Sequence, residues 1–268
     1  MIVINTIKES DWNAFHKIEK EAFKEDLTSK EKFGELISEE ELWGAYDGEK
    51  LVGYALIRIY GNYGHLTSIA VCKQKRRQGI GLELMDFFVD YCEEKGCEKV
   101  GLYVETKNEP AIRLYQLYGF GIEKEAWEYI IRDKEIEEIA SKETIEEQLY
   151  LKILTEEDAE KVKEVFPTLN VEEMKGQTKK QQNVIFGLFK GDKLKAYARY
   201  NKIKGRIRPL KCIEPEDLFK LIKMLHDEKR LTKNELRIVV ENNQKLEKTM
   251  EEKNYAIFRH IWYMQTEL

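Results

Sequence analysis

The chain contains few of the residues that stabilise small secreted proteins or bind structural metals. It has 4 cysteines and 4 prolines in 268 residues, and no two cysteines form a Cys-x-x-Cys pair. This scarcity excludes a dense disulfide framework, so we expect reduced thiols and no metal. No run approaches the roughly 18 apolar residues of a membrane-spanning helix. Residues 1–5 lack the features of a signal peptide, and together these absences predict a cytoplasmic protein without a membrane partner.

Positive charge is also in deficit over the whole chain. Asp and Glu number 50 against 45 Lys and Arg, which gives a net charge of −5 at pH 7. Because neither a helix-turn-helix nor a zinc pattern is present, this balance argues against a nucleic-acid partner. The apolar fraction of 42% is sufficient for one or two hydrophobic cores. One short stretch reverses the sign of the charge, with cations at Lys73, Lys75, Arg76 and Arg77.

This basic stretch leads into a glycine-containing loop, Arg-Arg-Gln-Gly-Ile-Gly at residues 76–81. The loop follows an apolar run typical of a strand, residues 66–71, and precedes residues with the apolar periodicity of a helix. Gly79 and Gly81 allow the backbone to approach a ligand, and the N–H groups at a helix start attract anions. The pattern therefore favours a pyrophosphate site for a nucleotide such as coenzyme A. A solvated basic surface is the alternative.

A second motif lies in residues 108–120, after a predicted strand at residues 99–105. Asn108 is placed as an N-cap, Pro110 falls in the first turn, and Gly119 is placed to end the helix. The helix between them carries Ala111, Leu114, Tyr115 and Tyr118 on one side.

The two motifs together resemble the signatures of the GCN5-related N-acetyltransferases, Arg/Gln-x-x-Gly-x-Gly/Ala and Asn-x-x-Ala-x-x-Leu-Tyr-x-x-x-Gly-Phe. The resemblance covers roughly residues 1–133. It implies an α/β fold with a mixed, mostly antiparallel central sheet flanked by helices. It also implies transfer of the acetyl group of acetyl-CoA to a primary amine of a small molecule, peptide or protein, by direct attack through a tetrahedral intermediate. A catalytically weak, coenzyme A-binding sensor is the alternative function.

The resemblance also assigns roles to individual residues. In the family, the strand before the glycine loop splays from its neighbour and binds the pantetheine arm, and the Val71 N–H matches the donor to the oxyanion. Tyr115 matches the tyrosine that protonates the leaving sulfur. A tyrosine pKa near 10 against ~8.5 for a thiol makes full transfer uphill by about 2 kcal/mol, so a hydrogen bond to the thiolate is the main expectation. The implied cofactor-binding set is Ile69, Ala70, Val71, Arg76, Arg77, Gln78, Gly79, Ile80, Gly81, Asn108, Ala111, Tyr115 and Tyr118.

The general base is left open among three candidates. His65 starts the predicted strand and aligns with the position of a catalytic glutamate in related histone acetyltransferases, and an imidazole accepts protons near neutral pH. Glu105, at the end of the adjacent strand, is the second candidate. Peptide N-terminal acetylases carry a glutamate two residues earlier, where this chain has Tyr103. Ordered water is the third candidate.

The sequence also contains an internal repeat. Residues 43–55 and 186–198 are two hairpin patterns with six identities in thirteen positions, and residues 101–108 resemble residues 236–243. The chain therefore reads as two tandem copies of one α/β unit. We predict a catalytic domain at residues 1–135, a charged and solvated linker helix at 136–148, and a degenerate domain at 149–268.

The second copy lacks the glycine loop. Residues 211–217 occupy its place and include three acids and Pro215, which would repel and fail to bind a pyrophosphate. The position of Tyr115 falls near Met250 or Glu251. One active site per chain is therefore expected. The role of the second copy is left open between support, acceptor binding and a homodimer contact.

The acceptor amine is not identified by the sequence. The segment after the first helix, around residues 23–40, is rich in acids, which favours a cationic amine only weakly because charge runs are commonly solvated surface. These acids are Glu25, Asp26, Glu31, Glu35, Glu39, Glu40 and Glu41.

Overall fold

A computed structural model describes residues 1–23 and 27–268 of the chain. Two of the acids noted above, Glu25 and Asp26, lie outside the described residues. The chain divides into two compact units, of which the first combines two segments that are distant in sequence and the second is one continuous segment. The first unit contains residues 1–123 and 262–268, and the second contains residues 124–261.

The first unit is an α/β unit built on a mixed sheet. Its strands run in the order β1-β2-β3-β4-β5-β12, antiparallel from β1 to β4 and parallel between β4 and β5. Its elements are β1 (Ile2–Thr6), α1 (Trp12–Ala22), α2 (Lys30–Ser38), β2 (Leu42–Asp47), β3 (Lys50–Tyr60), β4 (Tyr63–Val71), α3 (Ile80–Glu94), β5 (Lys99–Glu105), α4 (Glu109–Leu117) and the end of β12 (Ala256–Glu267).

Apolar side chains cover both faces of the first unit's sheet. On one face α1 and α2 bury Phe15 and Phe33 against Tyr54. On the other face α3 and α4 bury Phe88 and Ile112 among residues of β3, β4 and β5. A mixed, mostly antiparallel sheet between helices is the architecture that the sequence predicts.

The second unit repeats this plan. Its strands run in the order β6-β11-β10-β9-β8-β7, with β10 and β11 parallel. Its elements are β6 (Gly121–Arg132, of which residues 124–132 belong here), α5 (Asp133–Lys142), β7 (Leu149–Ile153), α6 (Ala159–Val165), α7 (Val171–Thr178), β8 (Asn183–Lys190), β9 (Lys193–Asn201), β10 (Arg206–Cys212), α8 (Pro215–Asp227), β11 (Glu235–Glu241), α9 (Gln244–Glu252) and the first part of β12.

The repeat extends to irregular features of the backbone. The β2–β3 hairpin shifts register between Ala45 and Tyr46, and the β8–β9 hairpin shifts at the corresponding step between Leu188 and Phe189. Asn108 and Asn243 each cap a helix in the same way: the side-chain oxygen accepts a hydrogen bond from the backbone N–H three residues later in the chain. A β-bulge and a cap kept at equal positions indicate two copies of one fold.

The charged segment between the copies differs from the prediction of a solvated linker. It forms α5 as expected, but Ile136 and Ile139 are 1% and 5% exposed and lie in the core of the second unit. The charges occupy the outer face only, since apolar residues recur at helical spacing.

The predicted limit of the first copy also differs from the structure. The last strand expected for that copy, β6, belongs to the second unit, where Leu236↔Ile131 and Ile238↔Tyr129 are paired and buried. The first unit instead includes residues 262–268 of β12 next to β5. The two final strands have similar apolar patterns, so local sequence does not determine which unit each one joins.

Candidate active site

The centre of the first unit's sheet opens between two parallel strands. Pairing between β4 and β5 runs from Tyr63↔Lys99 to Leu66↔Leu102 and then stops, although the strands continue to Val71 and Glu105. Beside this point Leu56 opposes Ser68 while Ile57 opposes Leu66, so Thr67 is the extra residue of a β-bulge. A bulge bends and twists its strand. The bend in β4 coincides with the gap between the two strands.

The backbone of β4 turns unpaired groups toward this gap. The Cys72 N–H donates to Val52 O at 2.8 Å, which makes that pair a hydrogen-bonded one. Antiparallel pairs alternate, so the groups of Ile69 and Val71 point away from β3 and toward the side of β5. In agreement, Val71 O accepts a hydrogen bond from Arg76 Nε at 2.9 Å. The Val71 N–H therefore faces the gap as an oxyanion donor would.

The glycine loop presents the start of α3. Gly79 is the residue before the helix and has φ of 86°, a left-handed conformation that favours glycine. The N–H groups of Leu82 and Glu83 both turn back to Gly79 O, at 2.8 and 3.1 Å. The preceding N–H groups, of Ile80 and Gly81, have no acceptor within the helix. A Cβ built at Gly79 meets nothing within 4 Å, so the space beside this residue is open. This geometry fits a pyrophosphate.

The four cations near the loop have different surroundings. Lys75 Nζ lies 2.8 Å from Asp47 Oδ2, and this hydrogen bond lowers the pKa of Asp47. Arg76 donates to Val71 O and, at 3.1 Å, to Glu21 O, so its guanidinium holds the loop in place. Within residues 1–23 and 27–268, Lys73 and Arg77 have no ion-pair partner, and both are exposed.

The helix α4 lies beside the start of α3. Tyr118 donates its hydroxyl proton to Leu82 O or Asp86 Oδ1, at 3.0 and 2.5 Å. A Cβ built on Gly81 would lie 3.4 Å from Leu114 Cδ2, which places the start of α3 in van der Waals reach of α4. Thus both signatures come together in space, and Tyr118 connects the two helices.

Tyr115 is buried in the core that α3 and α4 share with the sheet. It is 6% exposed, and burial raises its pKa above the ordinary value of 10.0. No partner within the described part of the chain forms a hydrogen bond with its hydroxyl. An apolar setting keeps such a hydroxyl protonated, which suits a donor.

His65 and Tyr115 lie on opposite faces of the sheet. The neighbours of His65 are Tyr63, whose hydroxyl is 3.0 Å from His65 Nδ1, and Tyr103, whose ring centroid is 5.8 Å away. Strand alternation places Glu105 on this same face, exposed at the end of β5. Tyr263 of β12 joins the group through a 3.0 Å bond between its hydroxyl and that of Tyr63. No local sequence pattern places Tyr263 here, since only long-range pairing brings β12 to β5.

The second unit keeps the gap but not the loop. Pairing of β10 with β11 is confined to Arg206 and Ile207, beside another register shift. Only two residues then separate β10 from α8, and the first residue of α8 is Pro215. The Asp217 carboxylate accepts the Glu214 N–H at 3.0 Å, so the helix start is closed by its own side chain. At the position of Tyr115, seven residues after the capping asparagine, α9 carries the buried Met250.

Comparison with known proteins identifies the fold as that of the GCN5-related N-acetyltransferases. A putative acetyltransferase from Pyrococcus horikoshii superimposes with a TM-score of 0.72 at 15% identity, covering 100% of this chain and 89% of that one. A GCN5-related N-acetyltransferase from Sphaerobacter thermophilus gives 0.70 at 12% identity, covering 99% and 95%. Residues 4–120 match the sequence model of the acetyltransferase (GNAT) family.

Curated relatives match only part of this chain. An N-alpha-acetyltransferase of Sulfurisphaera tokodaii is 39% identical over 87 residues, 28% of this chain and 52% of the relative. The mycothiol acetyltransferase of Corynebacterium aurimucosum is 29% identical over 86 residues, 31% and 28% of the respective chains. This chain thus spans from about a quarter to about half of these relatives' length. Within the described residues, no helix is long and apolar enough to cross a membrane.

Proposed function

We propose that the first unit transfers the acetyl group of acetyl-CoA to a primary amine, and that the chain holds one such site. One observation carries the proposal: the gap between β4 and β5 and the open, glycine-capped start of α3 occur together in the first unit. The second unit has the corresponding gap between β10 and β11, but its helix start carries no glycine loop. The match of residues 4–120 to the model of an acetyltransferase family supports the same reaction class.

The cofactor would be held by backbone groups more than by side chains. The loop from Arg76 to Gly81 would receive the pyrophosphate on the N–H groups at the start of α3. The segment Ile69, Ala70 and Val71 would bind the extended pantetheine arm along the gap. Asn108, Ala111 and Tyr118 complete the proposed set at α4. Because Arg76 donates hydrogen bonds to two backbone carbonyls, its proposed role is to hold the shape of the loop. The proposed role of Arg77 is to attract the phosphates by its positive charge.

The chemistry needs a donor to the oxygen of the attacked thioester and another to its sulfur. The Val71 N–H is placed for the first role, since it faces the gap. Tyr115 takes the second role. Burial raises the pKa of Tyr115 above the usual 10.0, which makes full proton transfer to a thiolate harder than for an exposed tyrosine. A hydrogen bond to the departing sulfur is therefore the proposed contribution.

The attacking amine must lose a proton, and His65 is the proposed acceptor. It is half-buried beside the point where β4 and β5 part. Glu105 and ordered water remain the alternatives. The acceptor class stays at a primary amine: two of the described acids near α2 are neutralised, Glu41 by Arg58 at 2.9 Å and Glu35 by Lys32 at 2.7 Å. This pairing reduces the acidic character that favoured a cationic amine.

The test uses the full chain, acetyl-CoA and a panel of amines that includes peptide N-termini, lysine side chains and polyamines. We expect release of the free thiol together with an acetylated amine of the corresponding mass. Coenzyme A that stabilises the protein against heat without any transfer would support the sensor function instead. Absence of both binding and transfer would overturn the proposal.

A further inference from the structure

The first strand of the first unit has an open edge. β1 stands at the end of that unit's strand order and, among the described strands, pairs with β2 only. The Ile7 N–H donates to Leu42 O at 3.4 Å, which makes the last pair of this ladder a hydrogen-bonded one. Antiparallel pairs alternate, so the backbone groups of Val3 point toward β2 like those of Ile7. Those of Ile2 and Ile4 point away from the sheet.

Only part of this outward edge is engaged by the chain itself. The Thr6 N–H, which also points outward, donates to the side-chain oxygen of Asn5 at 2.8 Å. Within residues 1–23 and 27–268, no group bonds to the outward N–H or C=O of Ile2 or Ile4. Each of these two residues therefore offers a donor and an acceptor to a further strand.

β1 also differs from an edge strand that is protected against pairing. Residues Ile2–Thr6 contain no charge and no proline, and their register with β2 is continuous. The side chain of Val3 is 55% exposed. The end strand of the second unit, β7, instead carries Lys152, and a lysine on an edge strand discourages pairing. The open edge of the first unit is therefore the better template for another strand.

A half-buried aromatic surface lies beside this edge. The ring centroid of Trp43, on β2, is 4.6 Å from that of Phe87 and 5.2 Å from that of Tyr91, both on α3. In the second unit the repeat counterpart of Trp43 is Phe186, which is 2% exposed in the core that α5 and α8 share. Among the described residues of the first unit no helix corresponds to α5, and the three rings stay partly exposed. Exposed aromatic rings of this kind are enriched at protein interfaces.

We infer that β1 pairs antiparallel with β1 of a second copy of this chain, about a two-fold axis at Val3. This arrangement places Ile2 opposite Ile4 of the second copy, and each such pair exchanges both of its N–H···O bonds. The Thr6 N–H keeps its bond to Asn5. A two-fold contact brings each group on the axis next to its own copy, so an uncharged strand avoids the repulsion of like charges. The open groups and the missing charge together select a second copy as the occupant.

The position of the axis follows from the engaged Thr6 N–H. An axis at Ile4 would place Thr6 opposite Ile2 of the second copy, and that pairing would need the N–H that is bound to Asn5. An axis at Val3 uses only the groups of Ile2 and Ile4. The two registers are distinguishable, because Val3 opposes its own copy in the first arrangement only.

The first test measures the mass of the full chain in solution by light scattering, over about 1 to 100 µM. We expect a dimer that forms as the concentration rises. Val3→Lys places like charges at the axis and should give a monomer throughout. Tyr150→Lys on β7 is the matched control, because Tyr150 is 44% exposed on the other end strand, and it should leave the dimer intact. Thermal unfolding at the lowest concentration should be alike in all three proteins.

Two results of this measurement would overturn the inference. One is a native chain that stays monomeric at every concentration. The other is a dimer that is lost in Tyr150→Lys and kept in Val3→Lys, since the second unit's edge would then form the contact.

The second test probes the axis by cross-linking. Residues opposite each other in a non-hydrogen-bonded antiparallel pair have Cα atoms about 4.5 Å apart, within the range of a disulfide. Oxidised glutathione should therefore convert Val3→Cys into a covalent dimer. The native chain, with its 4 cysteines, and Asn5→Cys should remain uncross-linked. Asn5 is exposed on the same strand, but it would oppose residue 1 of the second copy.

Equal cross-linking of Asn5→Cys, or cross-linking of Ile4→Cys in place of Val3→Cys, would contradict the axis at Val3. Neither test uses the transfer reaction. A failure of the proposed function therefore leaves this inference standing, and a failure of this inference leaves the proposed function standing.

Discussion

The two units differ most at the start of one helix. In the first unit eight residues separate β4 from α3, and the helix begins with exposed N–H groups after Gly79. In the second unit two residues separate β10 from α8, and a proline and an aspartate close the helix start. The bulges, caps and parallel strand pair are otherwise alike. The fold therefore persists without the anion site, because its stability comes from the cores and not from the loop.

The largest effect is expected from a buried charge of the second unit. Glu128 is 0% exposed and lies between Arg206, at 2.8 Å, and Arg259, at 2.9 Å. Glu128→Gln would leave these arginines without their counter-charge and should lower the free energy of unfolding by ~3–5 kcal/mol. Urea unfolding measures this loss. Glu173→Gln, an exposed partner of Arg199, is the control and should cost under ~1 kcal/mol. Kinetic constants per folded molecule should stay unchanged in both variants.

The next prediction compares the two ends of α3. Gly79 and Gly96 have φ of 86° and 74°, and a Cβ at either meets nothing within 4 Å. Alanine at each position should reduce stability alike, by ~1–2 kcal/mol, because the left-handed conformation is strained. Only Gly79→Ala should also weaken coenzyme A binding, by about 100-fold, through displaced N–H donors. Calorimetric titration measures the affinity. Equal affinity in the two variants would remove the loop from the cofactor site.

The third prediction compares Tyr115 with its counterpart Met250. Tyr115→Phe should lower kcat about 10- to 100-fold, since it removes one hydrogen bond to a charged leaving group. KM for acetyl-CoA should change less than about twofold, because the ring still fills the core. Met250→Leu keeps the volume of the buried residue and should alter neither constant. Steady-state kinetics on an accepted amine decides, and an unchanged kcat in Tyr115→Phe would contradict the role of its hydroxyl.

The smallest effect concerns an exposed carboxylate of the second unit. Hydrogen bonds to Lys190 and Lys220 lower the pKa of Glu146 to about 2. A lowered pKa stabilises the fold above the unfolded value near 4.5, and this contribution is lost as the pH falls toward 2. Glu146→Gln should therefore reduce the acid sensitivity of thermal unfolding slightly between those pH values. The first unit's exposed Asp47, paired with Lys75, offers Asp47→Asn as the matched variant.

Local features of this fold could be predicted from the sequence. The hairpin at Gly48, the cap at Asn108 and the loop at Gly79 each depend on a few adjacent residues. The family resemblance also implied that the strand before the glycine loop splays from its neighbour, as β4 does from β5. Arg76 was expected to contact the phosphates, but its bonds to Val71 O and Glu21 O depend on α1, which is distant in sequence.

Long-range pairing could not be predicted in the same way. The apolar pattern of β12 predicts a strand, but it does not predict that Tyr263 lies beside Tyr63. That contact exists only because β12 pairs with β5. Likewise, the apolar residues of α5 recur at helical spacing in the sequence. Their burial depends on packing against α8, which lies far from α5 in the sequence.

The assignment of the last strands has a consequence for truncation. The first unit is completed by residues 262–268, which follow the whole of the second unit in the sequence. Truncation after residue 123 would remove the neighbour of β5 and leave an unpaired edge strand, which promotes aggregation. Removal of residues 124–261 alone would keep that neighbour in the chain. The first unit therefore needs residues from both sides of the second unit to complete its sheet.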